Sequence, residues 1–389
     1  MTVTTTTTTA TTRADRRDTD WSGIAERIAS QIAPDVAEAD RSGEFPFRAF
    51  DLVRETGLVS MLVPADFGGG GATHEQACEV LRVLGAVDPS TAVTLSMHFH
   101  LVATQLWRHK HGQDAAKVFA KVADERAILI STGASDWVDA SGTATAVEGG
   151  WRVSARKTPS SGCPAGDVLV TSIRWEEAPD GPAVIHCTVP FAARGVSIEE
   201  TWDTMGMRAT GSHTVVLDEV FVPEAAASLI RPAGQWHPVW NAVLGAALPL
   251  IMSAYLGAGE AMVAEATSMG SGRAGAPHVA PTVGRMINSL AIAQDAVAAM
   301  VAASDDLRFD GTLDHTTFVL ARKTTASEAL MDTARIAMEV TGGAGYSRSF
   351  PLERMFRDLH GSQFHPLPEA KQVLFCGRHA LGLDPVGTE

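Results

Sequence analysis

The sequence predicts an α+β protein in which an N-terminal helical domain precedes a small central β domain and a C-terminal helical bundle. Three observations predict it. Apolar residues recur at helical spacing in both outer parts, they alternate with period two in the middle, and glycine and proline clusters punctuate the chain. The 389 residues are enough for two or three cooperating domains. With 45% hydrophobic and 20% charged residues, the chain can bury a sizeable core.

Residues 1–20 are Thr-rich and then mixed in charge. They hold too few apolar groups to offset the entropy of ordering and lack the apolar stretch of a secretory signal, so they read as a disordered tail. Residues 21–126 read as a helical domain, with one helix from near His74 to Leu84 after the turn at Gly68-Gly69-Gly70-Gly71. Residues 127–232 read as the β domain. There Trp151, Val153 and Ala155 alternate with Arg152, Ser154 and Arg156 after a hairpin turn at Gly149-Gly150. Segments 167–173, 183–189 and 214–222 are further strands, rich in β-branched residues, which fits a compact barrel or sandwich. Residues 233–389 return to helical spacing. Leu244, Ala247, Ile251, Ala254 and Ala258 form one stripe, and Met286, Leu290, Ala293, Val297 and Met300 another. Leu330, Ala334 and Met338 form a third, which Gly342-Gly343 would end in a left-handed cap.

The formal net charge of −14 argues against a general nucleic-acid binder, which needs a basic surface. No uninterrupted apolar run looks long enough to span a bilayer. The four cysteines are far apart, which favours reduced thiols in a cytosolic, cytoplasmic protein over disulfides or a zinc site, and no metal is expected. Cys163 reads as a small buried filler.

Three segments carry more specific information. Val63 opens VPADFGGGG, Thr201 opens TWDTMGMRATGSHTVVLDEVFVPE, and Ala337 opens AMEVTGGAGYSRSFPLERMFRD. In this order they resemble the acyl-CoA dehydrogenase superfamily, from about Val63 to Asp358. The resemblance implies an acyl-CoA dehydrogenase-like fold with a small central β-barrel domain and a C-terminal four-helix bundle, FAD as cofactor and a homodimer or homotetramer that shares the cofactor between chains. It places Gly342 and Gly343 against the FAD of a neighbouring subunit, where the lack of a Cβ allows close approach. Glu339 stands where the family usually carries a glutamine that contacts the cofactor, and an ionised carboxylate accepts but does not donate. Arg357 and Asp358 read as structural ion-pair or helix-terminus residues.

The resemblance also implies a flavin loop after the first strand, here ISTGASD, with Ser131 and Thr132 as flavin contacts and Ser135 on the substrate side. Ser161 takes the hydroxyl position near flavin N5, with Pro159 in place of the family's tryptophan. Acyl-CoA dehydrogenation needs a carboxylate to remove the α proton while hydride passes to the flavin. The family's glutamate position falls on Pro366, leaving Glu369 as the candidate base and His365 as its rival.

Three functions follow. The first is α,β-dehydrogenation of an acyl-CoA or acyl-carrier thioester, with electrons passing to an electron-transfer flavoprotein. The second is a two-component monooxygenase that uses reduced FMN or FAD from a flavin reductase; Ser161-Gly162, His360, His365 and His98 fit that picture, His98 as a substrate-side residue. The third is a catalytically silent flavin-binding relative.

Overall fold

A computed structural model describes residues 19–133 and 135–387. The tail expected over residues 1–20 therefore lies almost wholly outside the described residues. The first part is helical: α1 (Trp21–Ile32), α2 (Val36–Ser42), α3 (Phe47–Glu55), α4 (His74–Val87), α5 (Pro89–Lys110) and α6 (Ala116–Asp124). Local chemistry sets the starts of the main helices. Asp20 caps α1 by accepting from Gly23 N at 2.8 Å. Thr73 and Gln76 form a reciprocal capping box at the start of α4, which begins where the sequence predicted and runs three residues further than Leu84. Asp88 caps α5, and Pro89 sits at the first helical position, where its missing N–H costs nothing.

The middle is eight strands: β1 (Leu129–Ser131), β2 (Thr143–Val147), β3 (Gly150–Lys157), β4 (Val168–Trp175), β5 (Ala183–Pro190), β6 (Val196–Glu199), β7 (Thr214–Pro223) and β8 (Ala227–Pro232). They form two four-stranded sheets in the orders β1-β4-β5-β8 and β2-β3-β7-β6. Only the β1–β4 pair is parallel. The alternation in β3 does what period two requires: Trp151, Val153 and Ala155 are buried, whereas Arg152 and Arg156 are exposed. The sheets touch through β2–β4 and β5–β7.

Three long helices, α7 (Val239–Ser271), α8 (Val279–Ala303) and α9 (Leu313–Thr341), dominate the last part, followed by α10 (Leu352–Leu359) and α11 (Glu369–Ala380). The first two predicted stripes are buried throughout; in the third, Met338 is only partly covered. α9 ends at Gly342 with φ +60° and ψ −146°. That is a glycine-only conformation, not the left-handed cap expected.

One expectation is corrected here. Both α7 and the stretch Val279–Leu307 are long and apolar enough to cross a membrane. The most apolar window of α7 is 94% buried within the protein, so its hydropathy is used in packing. α4 and α5 pack on α7, and α9 packs on α7 and α8, which joins the two helical parts through one core. Gly85 and Gly257 let α4 and α7 meet backbone to backbone: a Cβ at Gly257 would lie 1.9 Å from Arg82 O. α5 also touches β1 and the Arg208–Thr210 turn, leaving a deep cleft between the β strands and helices α5 and α7.

Candidate active site

The cleft is a cavity of about 1040 Å³ whose two long walls differ in chemistry. The β side supplies hydroxyls. β1 carries Ser131 and Thr132 to the edge, because its parallel pairing with β4 continues through Thr132 N to Val170 O at 3.2 Å. Thr132 Oγ1 donates to Thr171 Oγ1 at 2.7 Å. Beyond β3 the chain turns at Ser161 and Gly162. Ser161 Oγ lies 2.8 Å from Ser212 Oγ, which lies 2.6 Å from Thr210 Oγ1, and Thr210 Oγ1 donates to Met207 O at 2.9 Å. Ser161, Ser212 and Thr210 thus form a hydrogen-bonded row. Gly162 must be glycine: its φ is +80°, and a Cβ there would meet the Thr94 methyl at 2.7 Å.

The helical side is apolar. α5 presents Val93, Met97, Leu101 and Thr104, and α7 presents Leu244, Ala247, Leu248, Ile251 and Tyr255. The stretch after α10 closes the cavity with His360, Gly361, Phe364, His365 and Pro366. Tyr255 Oη and His365 Nε2 are 2.9 Å apart. Burial keeps the Tyr255 hydroxyl protonated far above its ordinary range. Burial, then the charges of Lys323 and His100, push the His365 imidazole down to about 3, so it is neutral at ordinary pH.

Arg357 and Asp358 pin the frame rather than each other. Arg357 forks onto Asp40 of α2 at 2.6 and 3.0 Å, bridges Glu353 at 2.8 Å and donates to Met205 O at 2.7 Å. Asp358, buried and pushed up to about 7 by desolvation, accepts Met207 N at 2.6 Å. The segment bearing the hydroxyl row is thereby tied to α10. Cys163 is buried, and desolvation raises its thiol to about 12, which suits a filler.

Of the residues predicted from sequence, Ser131, Thr132, Ser161 and His365 lie on the cavity wall together, with His360. Others do not. His98 is 1% exposed, and both its ring nitrogens are engaged, Nε2 with Val59 O at 2.8 Å and Nδ1 with Leu129 N at 3.0 Å. It clamps β1 to the helical part, while His100, on the other side of α5, faces the cavity. Helical geometry explains the swap: residues 97, 101 and 104 share a face that residue 98 leaves. Ser135 is exposed in the turn after β1 and lies off the wall. Glu369 is exposed at the start of α11 and lines a separate pocket of about 180 Å³ beside Lys323. Glu339 is bound to Arg285 at 2.9 Å and to Arg335 on the exposed face of α9. Gly342 and Gly343 also stand away from the cavity of their own chain.

Sequence reasoning missed Tyr255 and Ser212. Tyr255 had a usable signal, being one of only two tyrosines and interrupting a run of small apolar residues. Ser212 lies within the segment opened by Thr201 but has no chemical signal of its own there.

Comparison with known proteins adds a family and a chemistry. Residues 22–125 match the acyl-CoA dehydrogenase N-terminal domain, and residues 247–365 match the acyl-CoA dehydrogenase C-terminal domain. The chain is 30% identical to the amino sugar nitrososynthase DnmZ of Streptomyces peucetius over 92% of both chains. It is 28% identical to the putative acyl-CoA dehydrogenase YdbM of Bacillus subtilis, over 89% of this chain and 92% of that one. Among solved structures, KijD3 in complex with FMN and a dTDP-amino-keto sugar superposes with a TM-score of 0.84 at 25% identity, covering 96% of this chain and 97% of that one.

Proposed function

The chain belongs to the acyl-CoA dehydrogenase family, and from that premise we propose that it is a two-component flavin-dependent monooxygenase. On this reading it takes reduced FMN from a separate reductase and oxygenates a nitrogen or sulfur atom of a small organic molecule. One observation carries the choice. Among the described residues, the only carboxylate on the cavity wall is Asp310, exposed at the rim beside Gly311. Removal of an α proton from a thioester needs a carboxylate base beside the reacting carbons. Pro366 stands where the family's glutamate would be, and Glu369 faces a different pocket. The dehydrogenase reading, with FAD retained and an electron-transfer flavoprotein as partner, rests on family membership alone. The nitrososynthase similarity and the FMN complex of KijD3 favour the oxygenase.

The residues present fit a flavin. A flat ring with hydrogen-bonding edges needs donors on one side and apolar cover on the other. The Ser131, Thr132 and Ser161 hydroxyls face Leu244, Leu248 and Ile251 across the cleft. When bound and reduced, the flavin supplies two electrons, which with molecular oxygen place one oxygen atom on the substrate and release the other as water. The chain's own groups do the rest. Thr210 donates to Met207 O, so the row runs from Ser161 through Ser212 to Thr210 and leaves the Ser161 oxygen to accept a hydrogen bond from an N–H at the ring edge. Neutral His365 shares a hydrogen bond through Nε2 with Tyr255; with Nε2 as the protonated nitrogen, its Nδ1 lone pair can accept a hydrogen bond from a substrate N–H and orient it. The buried leucines and isoleucine of α7 keep bulk water from the reacting atoms.

A homo-oligomer belongs to the same reading. Phe364, Val373, Leu374 and Leu381 are all more than half exposed around α11, an apolar surface suited to a second copy. Glu339, Gly342 and Gly343 would meet a flavin only across such an interface.

The test supplies the protein with FMN, a flavin reductase, NADH and ¹⁸O₂, and follows a panel of primary amines and thioethers by mass spectrometry. Incorporation of one ¹⁸O atom is the expected result. Anaerobic bleaching of bound FAD by an acyl thioester, with no oxygen incorporation, would return the protein to the dehydrogenases.

A further inference from the structure

Arg108 stands at the end of the cavity farthest from the hydroxyl row. α5 carries Val93, Met97, Leu101, Thr104 and Arg108 on the cavity side. Fifteen residues at about 1.5 Å each put Arg108 about 22 Å along the helix from Val93. The Val93 end is the flavin end, since Thr94 Oγ1 donates to Thr210 O at 3.4 Å. At the other end, Arg108 Nε donates to Gln113 Oε1 at 2.9 Å and a terminal nitrogen donates to Gln105 Oε1 at 3.4 Å.

Both partners are neutral amides. Among the described residues, no carboxylate lies within the 4.0 Å ion-pair distance of this guanidinium. The neighbouring cations Lys110 and Arg308 both engage Asp306, at 2.6 and 3.2 Å, and neither lies on the cavity wall. Asp310 shares the rim but sits beyond ion-pair distance and in water, which screens it. Arg108 is therefore an oriented guanidinium without a carboxylate partner among the described residues, on a rim it shares with Gln105, His111 and Gln113 at the end of a mainly apolar channel. A planar fork of this kind binds an oxyanion through paired N–H groups. Trp107, stacked on His111 at 4.0 Å, supplies an apolar shelf beside it.

We infer that Arg108 anchors a terminal carboxylate, or a comparable single oxyanion, of an elongated and otherwise apolar substrate. The atom to be oxygenated then lies at the opposite end, by His365. What happens at that reacting end rests on the monooxygenase reading; the anchor does not. One guanidinium without a carboxylate partner matches a monoanion, whereas a phosphate dianion or a diphosphate would ask for more positive charge than this rim holds.

Binding without turnover tests it. Trp107, Trp137, Trp202 and Trp240 line the cavity, so their fluorescence reports occupancy. The full chain is titrated with ω-phenylalkanoates of graded length, with the matched amides and with the matched phosphonates. For at least one length, the acid is expected to bind at least ~10-fold tighter than its amide, an advantage of about 1.4 kcal/mol. Added salt shrinks that advantage, and Arg108→Gln removes it while amide binding persists. Arg108→Lys restores part of it. Acids no tighter than amides across the series would overturn the anchor, as would an Arg108→Gln variant that keeps the preference. Loss of acid and amide binding together, unrestored by Arg108→Lys, would overturn it as well. Phosphonates preferred over carboxylates would overturn the monoanion assignment. An acid preference without ¹⁸O incorporation would keep the anchor and sink the oxygenase.

Discussion

The two walls of the cavity solve different problems with different residues. On the β wall, Ser161, Ser212, Thr210, Thr132 and Thr171 are fixed by hydrogen bonds of 2.6–2.9 Å to one another and to the backbone. On the helical wall, Leu244, Leu248 and Ile251 line the cavity with aliphatic side chains, and polar groups such as Tyr255, His365, His100, Thr104 and Arg108 are interspersed among them. A hydrogen-bonded wall is rigid and reads one fixed pattern of donors and acceptors, which suits a constant cofactor. A wall of aliphatic side chains discriminates by volume and changes its selectivity with a single methylene, which suits a variable substrate. The contrast teaches that relatives of one fold can keep a flavin while changing what they act on.

The comparison can be broken first at His365, the polar group on the helical side that faces the reacting atoms on the monooxygenase reading. His365→Ala is expected to lower oxygenation by about 10–10²-fold, the worth of one buried hydrogen bond to the substrate, with FMN affinity changed only a few-fold. Stopped-flow turnover beside a flavin titration reads both. Equal losses in each would mean that His365 belongs to the cofactor wall.

A second break is acid. Burial lowers His74, His98 and His100 to about 4, and all three lie in the helical part. Unfolded histidines bind protons below about 6.5, whereas these stay neutral until about 4. The unfolded state therefore gains protons that the folded state refuses, and stability falls as pH drops from 6.5 to 4. Asp358, raised to about 7, works the other way over pH 7 to 4, but it is one group against these three and against His186 and His365, both lowered to about 3. Urea midpoints at pH 7 and pH 4.5 should differ, the acid value being lower; an unchanged midpoint would refute the buried neutral histidines.

Gly162→Ala strikes the β wall through its backbone. A side chain at φ +80°, pressed on Thr94, is expected to cost ~1–3 kcal/mol, seen as a lower thermal midpoint with weakened flavin binding. Ser161→Ala is the mildest change. It removes one hydroxyl from the row, worth about 1 kcal/mol, and should weaken reduced-FMN binding or shift the flavin absorbance while the fold stays intact. A larger effect from Ser161→Ala than from His365→Ala would invert the division between the walls.

Much of this was written in short-range chemistry. The period-two alternation of Trp151, Val153 and Ala155 set strand β3, and the spacing of Leu244, Ala247, Ile251, Ala254 and Ala258 set the buried face of α7, because each pattern is local. Ser131, Thr132 and Ser161 were readable because hydroxyls and glycines at turns leave compact motifs. The substrate side was not. His98 and His100 are two residues apart and equally plausible in a string, yet one is a clamp and the other lines the cavity, a choice made by the rotation of α5 against its neighbours. Glu369 lies four residues beyond His365, but the start of α11 carries it to another pocket.

The sequence by itself determined the helical–β–helical order, the hydroxyls of the β wall and the absence of the family's glutamate at Pro366. Only the tertiary structure decided that Tyr255 meets His365 across 110 positions of chain, and that Arg108 has no carboxylate within ion-pair reach among the described residues. The reason is physical: secondary structure and turns follow from neighbours along the chain, whereas the partners of a polar group in a cavity come from wherever packing brings other elements.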